Sequence, residues 1–132
     1  MTGSAMLELA GQLYPLCRSI TGNGLRATLR LIGERIPLSI TEVPSGTRAF
    51  DWVVPDEWNI EQAYVKDPHG RTVVDFAAHN LHLVNYSEPV RMQLPLEELR
   101  KRIHTLEAQP QWIPYRTSYY RRNWGFCMRH RD

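Results

Sequence analysis

An α+β fold is predicted by a change of hydrophobic period along the chain. Apolar residues recur at helical spacing near both ends, whereas from residue 38 the spacing shortens toward the alternation of strands, with turn residues between the runs. The 132 residues include nine prolines and eight glycines, so the elements are expected to be short. With 42% hydrophobic and 23% charged residues the composition is that of a globular chain and not of a disordered one.

Taken in order, Met6, Leu9, Leu13, Leu16 and Ile20 mark a first helical stretch over 5–20, which Pro15 should kink or divide. The segment "SITGNG" then supplies turn chemistry, and Thr21 or Asn23 is a candidate cap for a second helix. There Leu25, Leu29, Ile32 and Ile36 form one apolar stripe, with Arg26, Arg30 and Glu34 pointing away, until Pro37 stops the helix. "LSITEV", the turn "PSG" and "RAFDWVV" read as a hairpin. "AYVKD" and "RTVVDF" read as a second hairpin closed by Pro68, His69 and Gly70. "NLHLVNY" and "PVRMQL" add two strands. Leu96, Leu99, Ile103 and Leu106 predict a third helix, supported by Glu97–Lys101 and Glu98–Arg102 pairs. The expected architecture is two N-terminal helices, a compact β-rich block of hairpins, one further helix and an irregular aromatic C-terminal segment. Leu7, Tyr14 and Leu31 fall off the main helical faces, as in helices built to pack into a larger body.

Several classes of function are disfavoured at this level. No stretch approaches the length of a bilayer span, and "MLELAGQLYPLC" lacks the basic start and clean apolar centre of a signal peptide, so no membrane and a cytoplasmic location are expected. Cys17 and Cys127 show no metal-knuckle spacing and are expected to be reduced and packed. A net charge of +2 and a pI near 8.7 are mild for a nucleic-acid binder. Fourteen arginines against two lysines leave two explanations open, codon composition or a preference for planar, bidentate contacts with carboxylate or phosphate.

Candidate chemistry is sparse. Asp75, His79 and His82 in "DFAAHNLH" are metal-ligand types, but no further ligand is near, and solvent-facing or hydrogen-bonding histidines are the simpler reading. His69 at a turn tip and His104 on the polar side of the third helix lack partners, and Ser45 in "PSG" lacks a nucleophile elbow. Cys127, with His130 three residues on and arginines nearby, has the composition of an activated thiolate. The segment "TSYYRRNWGFCMRHRD" admits three uses. Tyr119, Tyr120 and Trp124 with Arg116, Arg121 and Arg122 can stack on bases and grip phosphates, can wall a pocket for an anionic or peptide substrate, or can pack in a core or interface with arginines at the rim.

Read in sequence, "ITGNGLRATLRLI", "EVPSGTRAFDWVVPDEWNI", "NLHLVNYSEPV" and "IPYRTSYYRRNWGFC" resemble a bacterial family of uncharacterised aminopeptidase-like proteins, found among zinc-dependent exopeptidases and often near polysaccharide-biosynthesis genes. The resemblance runs from about Leu13 to Cys127. It implies that residues 1–36 are the helical entry to a catalytic domain, 37–110 a β-rich inserted lid domain, and 111–132 a return segment. It also implies that the zinc ligands, a His with a bridging Asp, acidic residues and a later His, lie beyond Asp132. No residue of this chain matches those motifs, so the expectation is an N-terminal fragment or truncated relative, inactive alone, with no catalytic or metal residue and zinc only in a full-length member. As a lid it would meet a catalytic domain and select a peptide-like substrate. Arg48, Asp51, Trp52, His82, Tyr119, Tyr120 and Trp124 are the candidate pocket edge, chosen for residue type and position. The alternatives are a stand-alone module that binds another protein chain through its aromatic end and, more weakly, an RNA-binding module.

Overall fold

A computed structural model describes residues 2–119 and 121–132. It is α+β, with short helices and three two-stranded sheets, and it divides into two compact units, Met1–Asn59 and Ile60–Asp132.

In the first unit, α1 spans Gly3–Leu13 and is capped by Thr2, whose hydroxyl accepts from the Ala5 amide at 3.4 Å. The helix ends before Pro15, whose ring would crowd the preceding turn, so it terminates where a kink was expected. The second helix, α2, covers Asn23–Gly33. Its expected caps are corrected: the N-cap is Gly22, at φ +92°, with no side-chain cap of its own. The strip Glu57–Asn59 does that work instead. Asn59 Oδ1 accepts from the Asn23 amide at 2.7 Å, and Thr21 Oγ1 accepts from the Trp58 amide at 3.1 Å. A side chain at Gly22 would meet the Trp58 carbonyl oxygen, so only glycine permits this approach. Arg26 does not simply point to solvent. Its guanidinium forks onto Glu57 at 2.7 and 2.9 Å and also reaches Glu42 at 3.0 Å. Those bonds from Arg26, then one from Asn59, hold the Glu57 carboxyl down at about 2.

The first predicted hairpin has a different register from the one expected. Residues 38–43 form no strand and lie exposed, because their intended partner folds back on itself. Within "RAFDWVV", β1 (Arg48–Ala49) pairs antiparallel with β2 (Trp52–Val53) across a turn at Phe50 and Asp51. The Gly46 and Val54 amides extend the ladder, donating to the Val54 and Thr47 carbonyls at 2.9 Å.

In the second unit the predicted hairpin is present: β3 (Tyr64–Lys66) pairs antiparallel with β4 (Thr72–Asp75). Its turn is built by Asp67, whose Oδ1 accepts from the His69 and Arg71 amides at 2.9 Å, while Gly70 takes the left-handed conformation. "NLHLVNY" is corrected from a strand to a 3₁₀ turn, Asn80–His82, followed by single bridges from Leu83 to Phe126 and from Asn85 to Thr117. "PVRMQL" forms no strand, and residues 89–94 are exposed. The third helix, α3, is cut to Leu96–Arg100, with ion pairs Glu97–Arg100 and Glu98–Lys101 in place of those expected. What stops it is tertiary pairing: β5 (Ile103–His104) runs parallel to β6 (Phe126–Cys127), so Ile103 leaves the helical stripe to join a sheet. His104 therefore sits in a strand, and burial together with the Arg116 charge lowers its pKa. Among the described residues the buried core side chains are Val74, Val84, Phe126 and Cys127, all in this unit. The C-terminal segment, irregular for much of its length, thus supplies the two central residues of the core.

Candidate functional site

Two surfaces collect the sequence-predicted residues, one in each unit. In the first unit, Arg48, Asp51 and Trp52 share the β1–β2 hairpin and are exposed. The two-residue turn puts Ala49 opposite Trp52 and leaves Phe50 at the tip, 95% exposed and at φ +56°. Phe50 was not among the predicted residues. Its aromatic character was visible in "RAFDW", but a positive φ on a bulky side chain has no sequence signal.

In the second unit the strip after Arg116 is anchored through Asn85, whose amide donates to the Arg116 carbonyl at 2.8 Å and whose carbonyl accepts from the Ser118 amide at 3.0 Å. This places Tyr119 against Tyr86, edge to face with centroids 5.3 Å apart, and its hydroxyl 2.9 Å from that of Tyr115. Tyr86 and Tyr115 are therefore further members of this aromatic surface, and both lie in the motifs that carry the family resemblance. Tyr120 lies outside the described residues. Tyr86 sits at φ +65°, held by Ser118 Oγ donating to its carbonyl at 3.2 Å and by Ser87, which donates to Val84 O at 2.6 Å.

Trp124 and His82 are placed differently from Tyr119. Trp124 lies under the Arg102 guanidinium at 5.1 Å and edge-on to Phe126 at 6.4 Å, while Arg102 also bonds Asn123. These contacts make it half-buried packing at the strand end. His82 is half-buried, and its Nδ1 donates to the Cys127 carbonyl at 2.8 Å, which ties the 3₁₀ turn to β6. His79 uses its Nδ1 to accept from the Leu81 amide at 3.1 Å and meets His82 ring edge to face at 6.2 Å. Among the described residues no group of three or more His, Cys, Asp and Glu side chains is arranged to hold a metal.

The thiolate reading of Cys127 is overturned. Its side chain is fully buried, burial pushes its thiol up to about 11 against the opposing pull of Arg116, and His130 Nδ1 is engaged with Thr105 Oγ1 at 2.9 Å. The histidine stays on the exposed surface while the cysteine faces the core. Both cysteines are free thiols, and burial also raises the pKa of Cys17.

What remains in each unit is a surface carried by short, turn-rich elements, Arg48, Asp51 and Trp52 on the β1–β2 hairpin and Tyr86, Tyr115 and Tyr119 along the C-terminal segment. The chain belongs to a family described as a domain of unknown function (DUF2172), whose model matches residues 57–132, more than half of its length. It is similar to a protein of Clostridium acetobutylicum whose name assigns it provisionally to polysaccharide biosynthesis and gives it an aminopeptidase-like domain. The two are 50% identical over 127 residues, covering 96% of this chain and 29% of the relative. Among solved structures it is similar to a C. acetobutylicum protein provisionally named a peptidase, with a TM-score of 0.93 and 49% identity over 98% of this chain and 31% of that one. The chain therefore spans about a third of the length of the relatives it matches. No helix among the described residues is long and apolar enough to cross a membrane.

Proposed function

We propose that this chain acts as the part of a longer aminopeptidase-like polypeptide that covers the catalytic cleft and helps select a peptide-like substrate. The observation that carries the reading is the balance of buried and exposed apolar surface. A self-sufficient chain of this size would bury about two thirds of its extended surface. Here Leu7 and Tyr14, Phe50 and Val53, and Met92, Trp112 and Tyr115 all stand exposed, while the buried core is small. Apolar surface left in this state on both units fits a polypeptide whose remaining portion lies against it. The length of the relatives supports the same reading.

In this role residues 37–110 would form the lid and 111–132 the return toward the catalytic portion. Zinc, which the resemblance implies for a full-length member, would be held by that portion. Cytoplasm is the proposed location. Each unit would offer its own part in recognition: in the first, the exposed Arg48 would pair with a substrate carboxylate, with Asp51 and Trp52 beside it, and in the second, Tyr119 with its tyrosine neighbours would shape an aromatic wall. His82, through its bond to the Cys127 carbonyl, and Trp124, through its packing on Arg102 and Phe126, would help to fix the C-terminal segment that carries Tyr119.

The test is a hybrid polypeptide in which this chain replaces the matching stretch of the C. acetobutylicum relative. Peptidase activity of the hybrid is compared with that of the parent over a panel of peptides differing in the N-terminal residue. A substrate-selecting lid shifts the ranking of kcat/KM, and an identical ranking removes that role. The same exposed aromatics favour a second reading, a stand-alone module that binds another protein chain. It is preferred if the hybrid has parental ranking and the isolated chain captures a separate polypeptide.

A further inference from the structure

Among the described residues, two that are not glycine have a positive φ, Phe50 and Tyr86. For a residue with a Cβ this conformation is penalised, and a bulky aromatic adopts it only when the surroundings compensate. For Tyr86 the compensation is evident in the Tyr119 ring and the Ser118 bond to its carbonyl. Phe50 has none among the described residues. It is 95% exposed at the tip of a two-residue hairpin, where the next residue, Asp51, is of a type that tolerates such turns. The strands behind it do not bury the hairpin either: Arg48, Trp52 and Val53 are all exposed. A strained aromatic with nothing to gain from its own unit points to a gain made elsewhere.

We propose that Phe50 is a docking anchor, inserted with Trp52 and Val53 at its base into an apolar pocket of the remaining portion of the longer polypeptide, which the relatives carry and this chain does not span. The inference rests on the reading of this chain as the covering part of such a polypeptide. That portion is selected as the occupant because the chain covers only 29% and 31% of its relatives. The hairpin offers one large apolar side chain flanked by an Arg and an Asp of opposite charge, the form of a buried anchor within a polar rim. The left-handed turn at Phe50 holds the ring clear of the strands in advance, so little conformational freedom remains to be lost on docking.

Hydroxyl-radical footprinting read by mass spectrometry tests this on the isolated chain and on the hybrid polypeptide. The expected result is strong modification of Phe50 in the isolated chain and several-fold slower modification in the hybrid. Phe50→Gly supplies the second measurement, because glycine relieves the turn and removes the ring. The urea midpoint of the isolated chain should hold or rise, and in the hybrid Trp52 should become several-fold more reactive. A fall in the midpoint of the isolated chain would show that the ring supports its own unit, and the anchor would be withdrawn. If Phe50 stays fully reactive in the hybrid while Leu7 and Trp112 are protected, the covering role stands and the anchor fails. If none of the three is protected, both fail.

Discussion

Gly24→Ala should destabilise the chain, although helix propensity alone predicts the reverse. Gly24 is the second residue of α2, where Ala is normally favoured by about 1 kcal/mol. A Cβ built there lies 1.9 Å from the Cys17 carbonyl oxygen, 2.8 Å from its carbon and 3.1 Å from the Arg18 Cα. Reaching an ordinary contact of 3.4 Å requires the two backbones to part by about 1.5 Å. No flexible side chain can give way, so the cost falls at the upper end of the ~1–3 kcal/mol usual for overpacking. The net loss is about 2 kcal/mol, roughly thirtyfold in the folding equilibrium. Gly33→Ala is the control. It changes the last residue of the same helix, its Cβ would meet only Leu38 Cδ1 at 3.9 Å, and it should stabilise by about 0.5–1 kcal/mol. Urea titrations followed by helical circular dichroism measure both. If Gly24→Ala is neutral or stabilising, the close approach of α2 to residues 17–18 is wrong, and with it the account of how the "SITGNG" turn is fixed.

Other outcomes follow from charge and burial. The folded-state pKa of Glu57, about 2, lies below its ordinary 4.5, so the stabilisation from Arg26 is complete above about pH 4.5 and is lost as pH falls toward 2. Acid titrations of the chain and of Glu57→Gln should therefore diverge at neutral pH and converge in acid, and parallel curves would contradict this. Thiol labelling of the native chain at mildly alkaline pH should modify Cys17 well before Cys127, which is fully buried with its thiol pushed up to about 11; the reverse order would refute the placement of β6 in the core. A filter-binding titration with single-stranded RNA should show no affinity that rises at low salt, because Trp124 is engaged by Arg102 and Phe126 and is not presented for stacking.

What could be read in the sequence depended on whether the determining interaction was local. The hairpin around Asp67–Gly70 was legible because its turn is closed by its own Asp and Gly, and α2 because of its apolar stripe, although Gly22 caps it in place of Thr21 or Asn23 and it ends at Gly33, short of Ile36 and Pro37. The 38–43 run alternates like a strand, but a strand needs a partner, and "RAFDWVV" pairs with itself. In the third helix, Ile103 satisfied the helical spacing and was nevertheless taken by Phe126, a partner far along the chain. The same distance dependence applies to the candidate site. Tyr119 could be named from its neighbours, whereas its contact with Tyr86 depends on the bridge from Asn85 to Thr117. His82 and Cys127 were marked as chemistry by residue type, and the structure uses them on one bond that joins the 3₁₀ turn to β6. The tyrosine and phenylalanine in left-handed turns carry no local signal.

The covering role is tested most directly by peptidase assays of the chain alone and of the hybrid polypeptide, each with added zinc, on an aminoacyl chromogenic substrate. The account predicts no turnover by the chain alone and turnover by the hybrid that a chelator abolishes. Chelator-sensitive turnover by the chain alone, or a folded hybrid with none, would contradict it.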